Sequence, residues 1–341
     1  MKKAPLLSRS RLEELLQGIS NARLALMGDL CLDMYWLCDM RLSELSRETP
    51  HFPMPVVEER FSPGGAGNVA ANLAALGPGK LSVIGMVGAD WRGKLLRQAL
   101  EERGIDCSRV LEDGGVVTNT YIKPLRRGIS QVVYEDPRLD FENRKPLPAH
   151  CEEKLLAALE ASKNDWDVLC VSDQMAFGCI TPAIREKICE MGQMGKTIIV
   201  DSRNHCADYR HVIIKPNEVE SSRAFHDGSP LDREALACLI PQISEKTERD
   251  ALITMGGEGC LMYTGGEIIH CPACKVPPPI DFCGAGDTFL SGFASLLCAG
   301  AKPYEAAQIA NLCSAVTIRK LDTTGTAQRE EVLAAWDAYW A

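Results

Sequence analysis

The 341-residue sequence predicts an α/β fold: a mostly parallel central sheet covered by helices on both faces, with a small β-sheet lid over one edge. Three observations carry this. Short apolar runs alternate with stretches of helical period along most of the chain. Two regions break that rhythm with extended segments. Nearly every apolar run ends in a polar or glycine residue, which sits at the strand edge where such sheets bind ligands.

The elements follow in order. Leu12, Leu15, Leu16 and Ile19 fall at helical spacing and mark an opening helix, after which "RLALMGD" reads as a buried strand ending at Gly28-Asp29. The runs "KLSVIGMVG", "DVLCVSD", "KTIIVDS", "HVIIKPN" and "DALITMGG" repeat the strand pattern, separated mostly by helical segments such as "GKLLRQALEERG", "CEEKLLAALEAS" and "ITPAIREKICEMG". Helices are expected at 285–299, 303–320 and 329–340. The interruptions are residues 31–60 and 116–140, the latter with "VVTNTYIKP" and "ISQVVYED" around "LRRG". The expected division is thus a core of residues 1–30, 61–115 and 141–341, with a water-excluding lid from 31–60 and 116–140.

Composition narrows the function. Hydrophobic residues at 46% and charged residues at 24% describe an ordinary folded chain, and a net charge of −9 disfavours nucleic acid as a partner. The start, "MKKAPLLSRSRLEELLQ", lacks a signal peptide's unbroken apolar core, and no run reaches membrane-spanning length, so no membrane and a cytoplasmic location are expected. Fifteen cysteines lie mostly singly in apolar segments, as reduced, buried thiols do. The one CxxC, Cys271 to Cys274, has no second pair or spaced histidines for zinc and reads as a loop.

Four glycine-containing stretches remain: "GDLCLDMYW", "SPGGAGNVAANLAALG", "TMGGEGC" and "DFCGAGDTF". Neither GxGxxG at dinucleotide-binding spacing nor GxxxxGK[ST] occurs, so any phosphate is held by another device. "GAGD" supplies one: the amides of Gly284, Ala285 and Gly286 sit at a helix start where the dipole favours an anion, with the Asp287 carboxylate alongside to accept a proton from an attacking hydroxyl. Equally, an aspartate there can simply cap backbone amides.

Taken together, "PGGAGNVA" and "DFCGAGD" resemble the two signature motifs of the PfkB (ribokinase-like) carbohydrate kinases, with "KPNEVE" similar to the family's N-x-x-E motif and "TMGGEGC" to its nucleotide-side glycine loop. Within the family, "GDLCLDMYW", "PMPVVEERFSPGGAGNVAANLAALG" and "RLDFEN" most resemble the heptose-7-phosphate kinase domains of ADP-heptose synthesis. The resemblance implies a ribokinase-like three-layer sandwich and ATP-dependent phosphoryl transfer to a hydroxyl of a sugar or sugar phosphate. It implies Asp287 as general base, and Gly284, Ala285 and Gly286 as the anion hole. Asn217 and Glu220 would organise Mg²⁺ and the nucleotide phosphates, Glu220 through water. Thr254, Gly256, Gly257, Gly259 and Asn311 would border ATP. Asp33, Gly64, Gly65 and Asn68 would meet the sugar, and Asp281 is a candidate ligand for a monovalent cation such as K⁺. A homodimer through the lid is a further implication.

Two departures stand out. Phe282 occupies a position where the second motif usually has threonine, and "VDSRNH" replaces the D-P-K-G segment of the heptose kinases. A distal sugar phosphate would need cations, for which Lys123, Arg126, Arg127, Arg138 and Arg203 are candidates. The competing readings are a kinase of a nucleoside or other small alcohol on the same fold, and a noncatalytic sugar or nucleotide sensor.

Overall fold

The computed structural model describes residues 1–130, 132–321 and 323–340. At its centre lie six strands, all parallel, in the order Ile213–Ile214, Thr197–Ser202, Val168–Asp173, Arg23–Gly28, Lys80–Gly88 and Asp106–Asp113. Their apolar character is explained by burial on both faces. Leu24 and Leu26 of one strand point into a core shared with Leu12, Leu15, Phe289 and Phe293, while Ala25 and Met27 point into a second core with Leu155, Ile184, Ile188 and Ile240. Helices therefore cover the sheet in two layers, as expected of a ribokinase-like sandwich.

The run "DALITMGG" departs from the expected parallel series. Its strand, Ala251–Thr254, belongs to a four-stranded sheet with Cys260–Thr264, Glu267–Cys271 and Lys2–Lys3, in which its neighbour is antiparallel. The reason lies next door: Ile213–Ile214 ends after two residues because Pro216 has no N–H for a ladder and Asn217 already caps a helix, Glu218–Phe225. One parallel bridge, Asn217 to Thr254, links the sheets.

A five-stranded outer sheet runs Val56–Gly65, Leu30–Asp39, Asn119–Arg127, Val133–Glu135, with Leu139–Phe141 also paired to Asn119–Arg127. The strand Val56–Gly65 continues past the expected lid boundary at residue 60, so "SPGG" is a strand end in register with Leu30 to Asp33. Gly65, at φ +53°, reverses the chain directly into the helix Ala66–Ala75.

Only Asp29 separates the central strand Arg23–Gly28 from the outer strand Leu30–Asp39. Its buried carboxylate accepts the amides of Gln174 and Met175 at 2.8 Å and of Cys179 at 2.7 Å, which pins the loop after Val168–Asp173 beneath the outer sheet. Burial nonetheless pushes its pKa up to about 6 against those three hydrogen bonds. All cysteines are free and most are buried, Cys271 and Cys274 included among the unbridged. Among the described residues no helix is long and apolar enough to cross a membrane.

Candidate active site

The helix Ala285–Cys298 is apolar on nearly every side and packs into the core, which fixes its first turn at the carboxyl edge of the central sheet. Gly284 caps it at φ +76°, a conformation suited to glycine, and a Cβ there would lie 2.6 Å from the Asn68 amide nitrogen. Ala285 N donates to Phe282 O at 3.1 Å and is occupied by the turn. The amides of Gly284, Gly286 and Asp287 have no acceptor among the described residues, so the amide set differs by one from the expected trio.

Asp287 does not cap these amides. Its Oδ2 accepts from Asn68 Nδ2 at 2.7 Å, a bond between the two glycine-rich segments, 219 positions apart. Asn68 is buried and steadied in turn by Asn72, whose Oδ1 accepts from Thr288 Oγ1 at 2.9 Å. Burial pushes the Asp287 pKa up to about 7; the Asn68 bond and Lys215 oppose this, and Asp201 and Asp33 add to it.

Beside Asp287 opens a cleft of about 390 Å³, lined by Asn217, Glu220, Thr254, Gly256, Gly257, Gly259, Ala285, Gly286, Asp287 and Asn311, along with Phe282. The nucleotide-side residues named from the sequence are thus brought to one cleft. Asn217 Oδ1 accepts the amides of Val219 and Glu220, and Glu220 Oε2 accepts Asn217 N at 2.9 Å, a full capping box. Asn217 Nδ2 and Glu220 Oε1 remain for ligands. Asn311 Nδ2 donates to Cys271 O at 3.0 Å and to Pro272 O at 3.3 Å, which holds that loop at the cleft wall.

Asp33 and Gly64 are near neighbours across the outer sheet, and a Cβ at Gly64 would meet the Asp33 carboxylate at 2.6 Å. Burial raises the Asp33 pKa, with Lys123 and Arg138 opposing. Asp281 borders a smaller cavity with Tyr35, Lys123 and Cys283; its Oδ1 accepts Cys283 N at 2.9 Å, leaving Oδ2. Of the candidate phosphate cations, Arg126 pairs with Asp136, Arg127 with Asp39 and Arg138 with Asp140, whereas Lys123 lies over the Tyr35 ring beside that cavity.

Sequence reasoning missed Lys215 and Asp201. Asp201 is next to last in the strand Thr197–Ser202 and Lys215 directly follows Ile213–Ile214, and their side chains meet at 2.9 Å within the cleft wall, both buried. The signal was the lysine in "KPNEVE", a charge at the end of an otherwise apolar strand.

The chain matches the profile of the pfkB family carbohydrate kinases over residues 32–329. It belongs to that family. This makes it a carbohydrate kinase, a phosphotransferase that takes an alcohol acceptor and binds ATP. Among curated relatives, the bifunctional protein HldE of Citrifermentans bemidjiense is 33% identical over 333 residues, and that of Geotalea uraniireducens 32% over 334; each match covers 96% of this chain and 66% of the relative. The kinase thus spans about two thirds of those proteins' length. In fold it is similar to Arabidopsis thaliana ribokinase complexed with ribose and ATP (TM-score 0.69, 18% identity, 92% of this chain and 98% of that one). It is likewise similar to Escherichia coli phosphofructokinase-2 in complex with substrates and products (TM-score 0.72, 17% identity, 94% and 100%).

Proposed function

We propose that the kinase transfers the γ-phosphoryl group of ATP to a hydroxyl of a sugar or sugar phosphate, with Asp287 as general base. The observation that carries this is the setting of Asp287: a carboxylate with its pKa pushed up to about 7, oriented by Asn68, beside free helix-start amides and at the mouth of the cleft. The acceptor oxygen bonds to the γ-phosphorus as the bond to the β-phosphate oxygen breaks. The hydroxyl proton passes to Asp287, and ADP leaves with the electron pair. Gly286 and Asp287 amides face the charge on the transferring group.

Glu220 Oε1 fits a water-mediated Mg²⁺, since its other oxygen serves the cap, and Asn217 Nδ2 can donate to a phosphate oxygen. Bound Mg²⁺ would neutralise charge on the β- and γ-phosphates. Asp281 Oδ2 is the donor for K⁺ in this reading. Asp33 accepts from paired sugar hydroxyls, and the outer sheet acts as the lid. Asn68 serves as a positioning residue for Asp287, donating from Nδ2 while its Oδ1 accepts from Asn72.

The relation to HldE, together with the motifs "GDLCLDMYW" and "RLDFEN", makes a heptose 7-phosphate the first acceptor to test, and Lys123, which lines the cavity with Asp281, the first cation to test for its phosphate. Exposed Val56, Val57 and Phe61 on the unpaired edge strand Val56–Gly65 support a homodimer through the lid. The experiment is a screen of sugars, sugar phosphates and nucleosides with ATP, with and without K⁺, repeated with Asp287→Asn. Phosphate transfer to a sugar or sugar phosphate that the variant abolishes, while it still binds acceptor and nucleotide, is expected. Equal turnover by variant and parent rejects Asp287 as base.

A further inference from the structure

Among the described residues lining the nucleotide cleft, Asp201, Glu218, Glu220 and Asp287 are acidic, and Lys215 is the one lysine or arginine. A nucleotide triphosphate would add further negative charge to this set. Lys215 is almost wholly buried, at 3% exposure, where an ammonium is retained only against a large desolvation penalty. Its Nζ carries three N–H groups, yet its one charged partner among the described residues is Asp201 Oδ2 at 2.9 Å. The helix start lies beside Nζ: a Cβ placed on Gly286 would lie 3.9 Å from it. A buried ammonium with open donors, next to the amides proposed to hold the transferring group, has room for an anionic oxygen between them.

We propose that Lys215 is a catalytic residue that donates from Nζ to an oxygen of the γ-phosphoryl group during transfer, with Asp201 as the positioning residue that aims it. This rests on the kinase reading of the same cleft. Lys215 makes and breaks no covalent bond and keeps its protons; the acceptor's proton still goes to Asp287. Its contact is with the γ-phosphoryl group and not with ADP, because Nζ lies beside Gly286, next to the proposed base Asp287.

The test replaces Lys215→Met, which keeps the length of the chain and removes the charge. Expected is a loss in kcat of about 10²- to 10³-fold, the range for deleting one preorganised donor to a transition-state oxygen. Binding of Mg·AMP-PNP should weaken about tenfold, and binding of Mg·ADP should change less than threefold. The double variant Asp201→Asn/Lys215→Met leaves no unpaired buried charge, so it separates catalysis from folding and should show the same loss. A kcat within threefold of the parent in either variant overturns the proposal, as does an equal loss of affinity for Mg·AMP-PNP and Mg·ADP. If the parent transfers phosphate to no alcohol, the kinase reading falls and this proposal with it. If the parent is active and Lys215→Met matches it, this proposal alone falls.

Discussion

Asp287→Asn is expected to stabilise the fold while removing activity, and the gain should grow with pH. The ordinary carboxyl value is 3.8 and the folded site raises it to about 7, chiefly by burial. A raised folded-state pKa means that the native protein holds a proton the unfolded chain has released. Stability from that proton is complete below about pH 4 and is lost as pH rises toward 7. Three units at 1.36 kcal/mol each give a cost of about 4 kcal/mol for keeping Asp287 ionised above pH 7. At pH 5 the same relation gives about 1.6 kcal/mol. Asparagine carries no such cost and can still accept from Asn68. The stability difference between variant and parent should therefore widen by about 2 to 3 kcal/mol between pH 5 and pH 8. Urea unfolding of both proteins at the two pH values, read as ΔG by linear extrapolation, measures it. Other groups that titrate in this range, Asp29 among them, are common to both proteins and cancel. A difference that stays constant with pH, or shrinks, would refute the account of Asp287 as a carboxylate held against its preference.

Two further outcomes follow from the same bonds. Asn68→Ala removes a hydrogen bond that favours the ionised form of Asp287, so the acid limb of the kcat/KM profile should move to higher pH by about one unit; an unmoved limb would show that Asn68 does not tune the base. Asp29→Ala leaves the amides of Gln174, Met175 and Cys179 buried without their acceptor and should cost about 3 kcal/mol or more in urea unfolding, whereas a loss under about 1 kcal/mol would mean that water replaces the carboxylate.

The central strands were legible because burial on two faces writes continuous apolar runs, and the helices because Leu12, Leu15 and Leu16 repeat at the helical period. The strand Ala251–Thr254 has the same apolar composition as its parallel neighbours, and composition does not encode which way a partner runs. It was therefore assigned to the wrong sheet. The glycine stretches pointed to one cleft, but the bond from Asn68 to Asp287 joins segments far apart in sequence and has no local signature. Lys215 and Asp201 were hidden for a related reason: each looks like an ordinary charge at a strand end until adjacent strands bring them together. The engagement of Ala285 N by Phe282 O is a matter of turn geometry that "GAG" alone does not specify.

Asp29 and Asp33 lie on the same stretch of chain, and each is pressed against a glycine from elsewhere: a Cβ at Gly178 would sit 2.1 Å from Asp29 Oδ1, and one at Gly64 would sit 2.6 Å from the Asp33 carboxylate. Each glycine is thus the cast of an acid, its missing side chain filled by the other residue's oxygens. Redesign of acceptor preference at this edge consequently cannot proceed one residue at a time. A side chain at 64 becomes admissible only with a shorter partner at 33, so a library that varies these two positions together samples acceptor shapes that variation at 64 alone would discard as misfolded.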